Sequence, residues 1–113
     1  MIEQEKMLAG KIYDPSDKQL EARRVLAHKL SNMYNDTLET EEEKRKEILD
    51  ELMPKRGEGT YLQGPIYFDY GQFTTMGECC YANFNFTVLD TCPVTIGDNV
   101  FFGTIQKVIL KAG

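Results

Sequence analysis

The first part of the chain has hydrophobic residues at the spacing of short amphipathic helices. This spacing predicts a helix over about residues 3–8, which stops at Gly10. A second helix follows a loop at residues 13–17 that supplies capping side chains, and the pair Asn35 and Asp36 ends it. The apolar stripe predicted for this second helix consists of Ala22, Leu26, Leu30 and Met33.

A third helix is predicted to begin at a capping box formed by Thr40 and Glu43 and to end at Pro54. Its apolar face consists of Ile48, Leu49, Leu52 and Met53. Three short amphipathic helices without a glycine-rich linker between them are expected to pack on each other or on the rest of the chain.

From residue 70 onward, hydrophobic residues recur with a period of six. The repeat positions are Tyr70, Met76, Ala82, Val88, Ile96, Phe102 and a further position at Val108. Glycine follows four of them, at Gly71, Gly77, Gly97 and Gly103. This pattern is typical of a parallel β-helix built from hexapeptide rungs, in which the hydrophobic residue points inward and the small residue allows the corner. Met76, Ala82, Val88, Ile96 and Phe102 should therefore share one interior.

The period is interrupted once, because two extra residues lie in the segment 90–95 between Val88 and Ile96. A repeat that recovers its phase with another hydrophobe–glycine pair favours a β-helix. The alternative is two ordinary β-hairpins with glycine turns. Residues 55–59 form the expected hinge between the helical part, residues 1–56, and the β part, residues 57–113.

Composition excludes several classes of function. The net charge of −5 and the absence of a basic cluster argue against nucleic acid as a partner. No apolar run approaches the length of a membrane span, and the charged N-terminus has no signal-like segment. Cys79, Cys80 and Cys92 form no disulfide framework, and with one histidine they form no zinc set. We expect reduced thiols, a cytoplasmic protein and no metal.

The segments 5–10 and 13–15 resemble the N-terminal helical region of the maltose and galactoside O-acetyltransferase family. Residues 64–71 resemble the entry of that family into its β-helix, and the matching stretches farther along are residues 82–85, 88–90 and 93–100. The resemblance extends from about residue 3 to Gly103.

This resemblance implies an α + β fold with an N-terminal α-helical segment followed by the first coils of a left-handed parallel β-helix. It also implies a homotrimer that transfers an acetyl group from acetyl-CoA to a sugar hydroxyl. In such enzymes a histidine acts as general base on the hydroxyl, which attacks the thioester directly. Imidazole has a suitable pKa for this task.

The chain departs from the family pattern after Gly103. The family's catalytic histidine lies beyond the rung that starts at Phe102, whereas residues 104–113 do not resemble that continuation and are interpreted as a truncation or frameshift. Most of the coenzyme A site is therefore expected to be missing. His28 is interpreted as an ordinary helix residue, so no catalytic residue is assigned and the chain alone is expected to be inactive.

Six residues match positions that bind the sugar acceptor in the family: Asp14, Arg23, Asp69, Tyr81, Asn83 and Asp90. Asn83 is also assigned to the cofactor. Each has a structural alternative, because aspartate and asparagine are common in turns, caps and β-helix corners and Arg23 could lie on a solvated helix face. Asn85 is interpreted as a corner residue, and Cys79 and Cys80 as structural, one of them buried and the other exposed.

Two functions follow. The first is a sugar O-acetyltransferase acting on maltose, glucose or a galactoside, with the acceptor left open among them, and with other copies of the chain as partners in a trimer or other oligomer. The second is a non-enzymatic β-helix module that associates with itself, since an incomplete coil exposes apolar interior and unpaired backbone groups. Leftover aromatic area is expected at Phe84, Phe86, Phe101 and Phe102.

Overall fold

The computed structural model describes residues 1–104 and 107–110. Three helices come first, α1 over Glu3–Leu8, α2 over Lys18–Asn35 and α3 over Glu42–Leu52. The carboxylate of Asp17 caps α2 by accepting the backbone N–H groups of Gln19 and Leu20 at 3.1 and 3.2 Å. Within the described residues, none of these helices combines the length and the apolar character that a membrane crossing requires.

The predicted capping box of α3 is wrong. Glu41 occupies the N-cap position without a side-chain capping bond, and its carboxylate instead accepts the backbone N–H of Leu38 at 2.8 Å. That bond closes the preceding turn and moves the start of the helix past Thr40. The predicted apolar face is confirmed, because its four members, Ile48, Leu49, Leu52 and Met53, are all buried.

The predicted stripe of α2 is wrong except at Leu30. Ala22, Leu26 and Met33 are exposed, and the buried positions are Leu20, Ala27, Leu30, Ser31 and Tyr34. Two of the buried residues, Ala27 and Ser31, are small, and they allow this face of the helix to approach the β part closely. The bulkier Leu26 and Met33 remain on the outside.

Eight short strands follow the helices. They are β1 (Tyr61–Leu62), β2 (Ile66–Phe68), β3 (Thr74–Met76), β4 (Tyr81–Ala82), β5 (Phe86–Asp90), β6 (Val94–Ile96), β7 (Phe101–Phe102) and β8 (Lys107–Leu110). They form three parallel sheets in the orders β1-β4-β7, β2-β5-β8 and β3-β6. All pairings among the described strands are parallel, which excludes the alternative of antiparallel hairpins.

Each strand residue pairs with the residue 20 positions later. Thus Ala82 lies between Leu62 and Phe102, and Met76 pairs with Ile96. The predicted shared interior is confirmed: Met76, Ala82, Val88 and Ile96 are buried in one cluster, and the half-buried Phe102 and Val108 pack against it.

Tyr70 is a correction to the predicted rung positions. The inward residue paired with Val88 is Phe68, so the step from Phe68 to Met76 is eight residues, as is the step from Val88 to Ile96. The two extra residues therefore occur at the same corner of both turns. Tyr70 packs outside the coil, in a second cluster with Met7 and Leu20.

The helices and the coil share one hydrophobic core, which contains Tyr34 and Leu52 together with the inward residues of the coil. The chain enters the coil at the predicted hinge, where the backbone N–H of Gly57 donates to the carbonyl of Met76 at 2.7 Å. The exact boundary between residues 56 and 57 stays a prediction.

Three glycines lie in one column along the coil, at Gly57, Gly77 and Gly97. A Cβ atom on Gly57 would lie 2.6 Å from the backbone of Gly77, and one on Gly77 would lie 2.6 Å from the backbone of Gly97 and 2.3 Å from the Asp98 carboxylate. A Cβ atom on Gly97 would meet no atom of the described chain within 4 Å. The first two glycines are thus required by the close approach of the next turn.

This column predicts different effects for two chemically identical substitutions. Gly77→Ala should lower the free energy of unfolding by about 1–3 kcal/mol, because the new methyl group overlaps backbone that cannot move independently. Gly97→Ala should leave it unchanged or raise it by less than about 1 kcal/mol, since the alanine reduces the entropy of the unfolded chain. Urea denaturation of both variants measures the difference, and equal losses would contradict the predicted column.

Candidate functional site

Four of the six predicted site residues lie near the two ends of the strands β2 and β5, whereas Asp14 and Arg23 lie in the helical part. Asp69 and Asp90 lie where these two strands end. Asn83 lies at the corner that precedes β5, next to Tyr81 in β4. The strand β5 extends from Phe86 to Asp90, and at about 3.3 Å per residue its two ends are roughly 13 Å apart.

Asp90 is completely buried and holds the corner after β2. Its carboxylate accepts the backbone N–H of Tyr70 at 2.8 Å and the hydroxyl of Thr74 at 3.0 Å. Burial raises the pKa of Asp90, while these hydrogen bonds oppose the increase. These contacts give Asp90 a structural role in the chain, and its contact with a sugar stays a prediction.

Asp69 is accessible and lies beside a histidine. Its carboxylate oxygen Oδ1 is 3.7 Å from Nε2 of His28 in α2. Both residues line a cleft of about 320 Å³ between α2 and the outer face of β2 and β5; its other lining residues are Ser31, Asn32, Tyr67, Phe68 and Leu89. The structure therefore brings His28 next to a predicted site residue.

Sequence reasoning assigned no function to His28. A signal was nevertheless available, because His28, Ser31 and Asn32 are spaced i, i+3 and i+4 and must lie on one face of a helix. What the spacing could not give is the strand opposite this face, which follows 35 or more residues later.

Asp14 adopts the turn that was its structural alternative. Its carboxylate accepts the backbone N–H and the hydroxyl of Ser16 at 3.0 and 2.6 Å, and these bonds hold the pKa of Asp14 below its ordinary value. Arg23 is exposed, and its guanidinium donates to the side-chain oxygen of Gln72. A sugar-binding role for Asp14 and Arg23 stays a prediction.

Arg24 had no predicted role, unlike the adjacent Arg23, but it connects the loop before α2 to the corner after β2. It donates to the hydroxyl of Tyr70 at 2.9 Å and to the carbonyl of Pro15 at 2.7 Å. This arginine thus links the loop that contains Asp14 to the corner that contains Asp69. Two adjacent arginines in a helix differ in direction by about 100°, and the resemblance singled out Arg23 alone.

Tyr81 belongs to an aromatic ladder on the outer face of the sheet β1-β4-β7. Its ring is 5.7 Å from that of Tyr61 and 6.2 Å from that of Phe101. The side-chain oxygen of Asn83 accepts the backbone N–H of Phe84 at 2.8 Å. Asn85 has a φ of 64°, which confirms it as a corner residue.

The cysteines agree with the prediction of one buried and one exposed thiol. Cys80 is buried and donates to the carbonyl of Gly97 at 3.1 Å, and Cys79 is exposed. Among the described residues, no group of three or more His, Cys, Asp or Glu side chains could hold a metal ion.

Taken together, the geometry provides groups that recognise hydroxyls. Carboxylate, amide, hydroxyl and imidazole side chains can donate to and accept from a sugar, and the aromatic rings provide apolar faces.

Comparison with known proteins places these features in a family. The maltose acetyltransferase hexapeptide capping motif matches residues 6–57, which include the end of α1, all of α2 and α3, and the entry to the coil. The galactoside O-acetyltransferase of Escherichia coli strain K12 is 36% identical over 96 residues, which cover 85% of this chain and 47% of that protein. The chain spans about half the length of the curated relatives it matches.

Solved structures agree with this comparison. A maltose O-acetyltransferase from Clostridium difficile 630 has a TM-score of 0.87 and 39% identity, covering 95% of this chain and 57% of its own. A hexapeptide-repeat containing acetyltransferase from Vibrio cholerae O1 biovar eltor, complexed with acetyl coenzyme A, has a TM-score of 0.85 and 33% identity over the same shares.

The buried carboxylate predicts a pH dependence of stability. Because the pKa of Asp90 is raised in the folded chain, its contribution to stability is present below the unfolded pKa and is lost as pH rises through the folded pKa. Asp90→Asn, which is neutral throughout, should therefore gain stability relative to the wild type as pH increases from about 3 to about 7. Urea denaturation at several pH values measures this gain.

The control is Asp36→Asn, which removes one exposed carboxylate at the end of α2. Asp90→Ala should cost about 1–3 kcal/mol at neutral pH, because it leaves the N–H of Tyr70 and the hydroxyl of Thr74 without their acceptor. A parallel pH dependence in Asp90→Asn and the wild type would contradict the assignment.

Proposed function

Because this chain belongs to the maltose and galactoside O-acetyltransferase family, we propose that it serves in the transfer of an acetyl group from acetyl-CoA to a hydroxyl of maltose, glucose or a galactoside. The observation that carries the proposal is the helical capping segment joined to a parallel coil with a 20-residue repeat. In this proposal the coil is a left-handed β-helix and the protein is cytoplasmic, where its thiols stay reduced.

The chain contributes the acceptor side of the reaction. A sugar hydroxyl must lose its proton as it attacks the thioester carbon, and coenzyme A leaves as the thiol. Asp14, Arg23, Asp69, Tyr81, Asn83 and Asp90 are proposed to bind the acceptor, with Asn83 also near the cofactor. His28 is not proposed as the base, because the resemblance places the family's catalytic histidine beyond the rung that starts at Phe102.

The distance between the two ends of β5 supports an acceptor site that is formed by more than one copy of the chain. About 13 Å of β5 lies between Asn83 and Asp90, which is longer than one sugar ring. Asn83 of one copy and Asp90 of the next copy can surround one acceptor if neighbouring copies place the opposite ends of their β5 strands side by side. A homotrimer satisfies this requirement through a repeated heterologous contact.

The purified 113-residue chain should not release thiol from acetyl-CoA above the blank when maltose, glucose or a galactoside is added. The expected reason is the missing general base, which is worth on the order of a hundredfold to ten-thousandfold in rate. A thiol-release assay measures the outcome. Sugar-dependent release that disappears in His28→Ala would contradict this prediction and identify His28 as the base.

A fusion tests the acceptor role directly. Appending the C-terminal coils of the Escherichia coli galactoside O-acetyltransferase after Gly97, in the 20-residue register, should give sugar-dependent thiol release. Asp69→Ala in this fusion should reduce that release, whereas Asp36→Asn should not. A fusion that folds cooperatively but releases no thiol would contradict the proposed function.

A self-associating, non-enzymatic module is the second candidate, and exposed aromatic residues favour it. Phe101 is 76% exposed and Phe84 is 47% exposed, while Phe86 is buried and Phe102 half-buried. Phe101 continues the ladder of Tyr61 and Tyr81, so these three rings form one surface. Binding of coenzyme A would favour the enzyme over this module.

Association should be visible in solution whichever function holds. Light scattering across a dilution series should give a mass above the 13.0 kDa of one chain. Phe101→Ser should weaken association by about tenfold or more, because burying a phenylalanine side chain is worth about 1.5–3 kcal/mol. Leu38→Ser, at an exposed residue between α2 and α3, is the control. A single-chain mass at high micromolar concentration would contradict the prediction.

A further inference from the structure

Ser31 is a buried polar residue whose hydroxyl lacks a partner. Its side chain lies in α2 with 2% of its surface exposed. Among the residues that the structure describes, its Oγ is the one buried side-chain oxygen or nitrogen without a hydrogen bond. A buried hydroxyl normally finds a partner, and leaving one unpaired costs free energy.

Ser31 is also one of the residues that line the cleft between α2 and the strands β2 and β5. His28 and Asn32 come from the same helix face, Tyr67 comes from an outward position of β2, and Asp69 directly follows that strand. The cleft therefore combines imidazole, hydroxyl, amide and carboxylate groups with the ring of Tyr67, which is 46% exposed.

The size and charge of the cleft restrict its ligand. Its volume of about 320 Å³ is at the lower end for ligand pockets, which typically hold about 300–1,000 Å³. The carboxylate of Asp69 disfavours an anion such as a phosphate, and no lysine or arginine lines the described cleft. A small neutral molecule with several hydroxyl groups satisfies these donors and acceptors, and the apolar face of a sugar ring can pack against Tyr67.

We propose that this cleft binds one pyranose ring of the acceptor, with Ser31, Asn32 and Asp69 recognising its hydroxyl groups. The inference rests on the proposed function and adds residues of α2 to the acceptor surface. His28 and Asp69 are 3.7 Å apart, too far for a direct hydrogen bond, so a ligand hydroxyl can accept from one and donate to the other.

Ser31→Ala separates a binding role from a structural one. Removing an unpartnered hydroxyl should leave the unliganded chain as stable as the wild type or more stable in urea denaturation. The same variant should bind the sugar about tenfold more weakly, because it loses a hydrogen bond that forms only in the complex. A purely structural serine would move stability and affinity in the same direction.

The experiment is a titration of the ¹⁵N-labelled chain with maltose, glucose and methyl galactoside, followed by amide shifts. At least one sugar should shift amides at residues 28–32 and 67–69, Ser31→Ala and Tyr67→Ala should weaken the binding, and inorganic phosphate should shift neither segment. Lys29→Ala, an exposed α2 residue outside the cleft, should bind like the wild type.

The proposal is overturned if no sugar binds, if Ser31→Ala binds as tightly as the wild type, or if the shifts occur only around Tyr81 and Asn83. These outcomes are distinguishable from failure of the proposed function. Sugar binding in the cleft, together with a folded fusion that releases no thiol, supports the cleft and contradicts acetyl transfer. Thiol release by the fusion, together with sugar binding outside the cleft, supports acetyl transfer and contradicts the proposed binding cleft.

Discussion

The coil depends on a constant offset of 20 residues between successive turns, because parallel strands pair only while every face keeps the same register. The offset also stacks each inward side chain on the inward side chain of the next turn. Ala82, between Leu62 and Phe102, is the smallest member of its stack. Neighbouring stacks also contact each other, since the ring of Phe86 is 4.8 Å from that of Phe102.

The helices are fastened to the coil by polar contacts as well as by the shared core. Arg45 of α3 is buried, and its guanidinium lies 4.6 Å over the ring of Tyr34. It donates to the hydroxyl of Thr37 at 2.9 Å and to the carbonyls of Leu62 and Gln63 at 3.3 and 3.2 Å. The hydroxyl of Tyr34 also donates to the carbonyl of Leu62, and burial raises the pKa of Tyr34 to about 12. A buried cation with these acceptors fixes where α2 and α3 lie.

The inward residues of the coil could be predicted from the sequence, whereas the buried face of α2 could not. The inward residues of the coil follow a short-range repeat, and their order was visible from Met76 onward. Tyr70 fitted the same period by coincidence, because the extra residues of the first turn precede Met76 and the phase is recovered there. The buried face of α2 was not predictable from apolar residues alone. Close packing on β2 selects the small Ala27 and Ser31 and leaves Leu26 outside.

The two aspartates of the candidate site show how far sequence reasoning could have gone. Both follow strand hydrophobes, and both were assigned to the acceptor. Side chains alternate between the two faces of a strand, so Asp90 shares the inward direction of Phe86 and Val88. Asp69 follows the inward Phe68 and points outward.

Register therefore determines which carboxylate becomes a buried support for the corner and which remains available. Once Val88 is known to point inward, the alternation of side chains along β5 predicts that Asp90 points inward as well. The neighbours of Asp69 cannot be predicted from the sequence, because the packing of α2 on the coil is what brings His28, Ser31 and Asn32 to the same cleft. A helix positioned by buried residues thus provides the polar surface opposite a strand, and contacts so distant in sequence arise from tertiary packing rather than from local pattern.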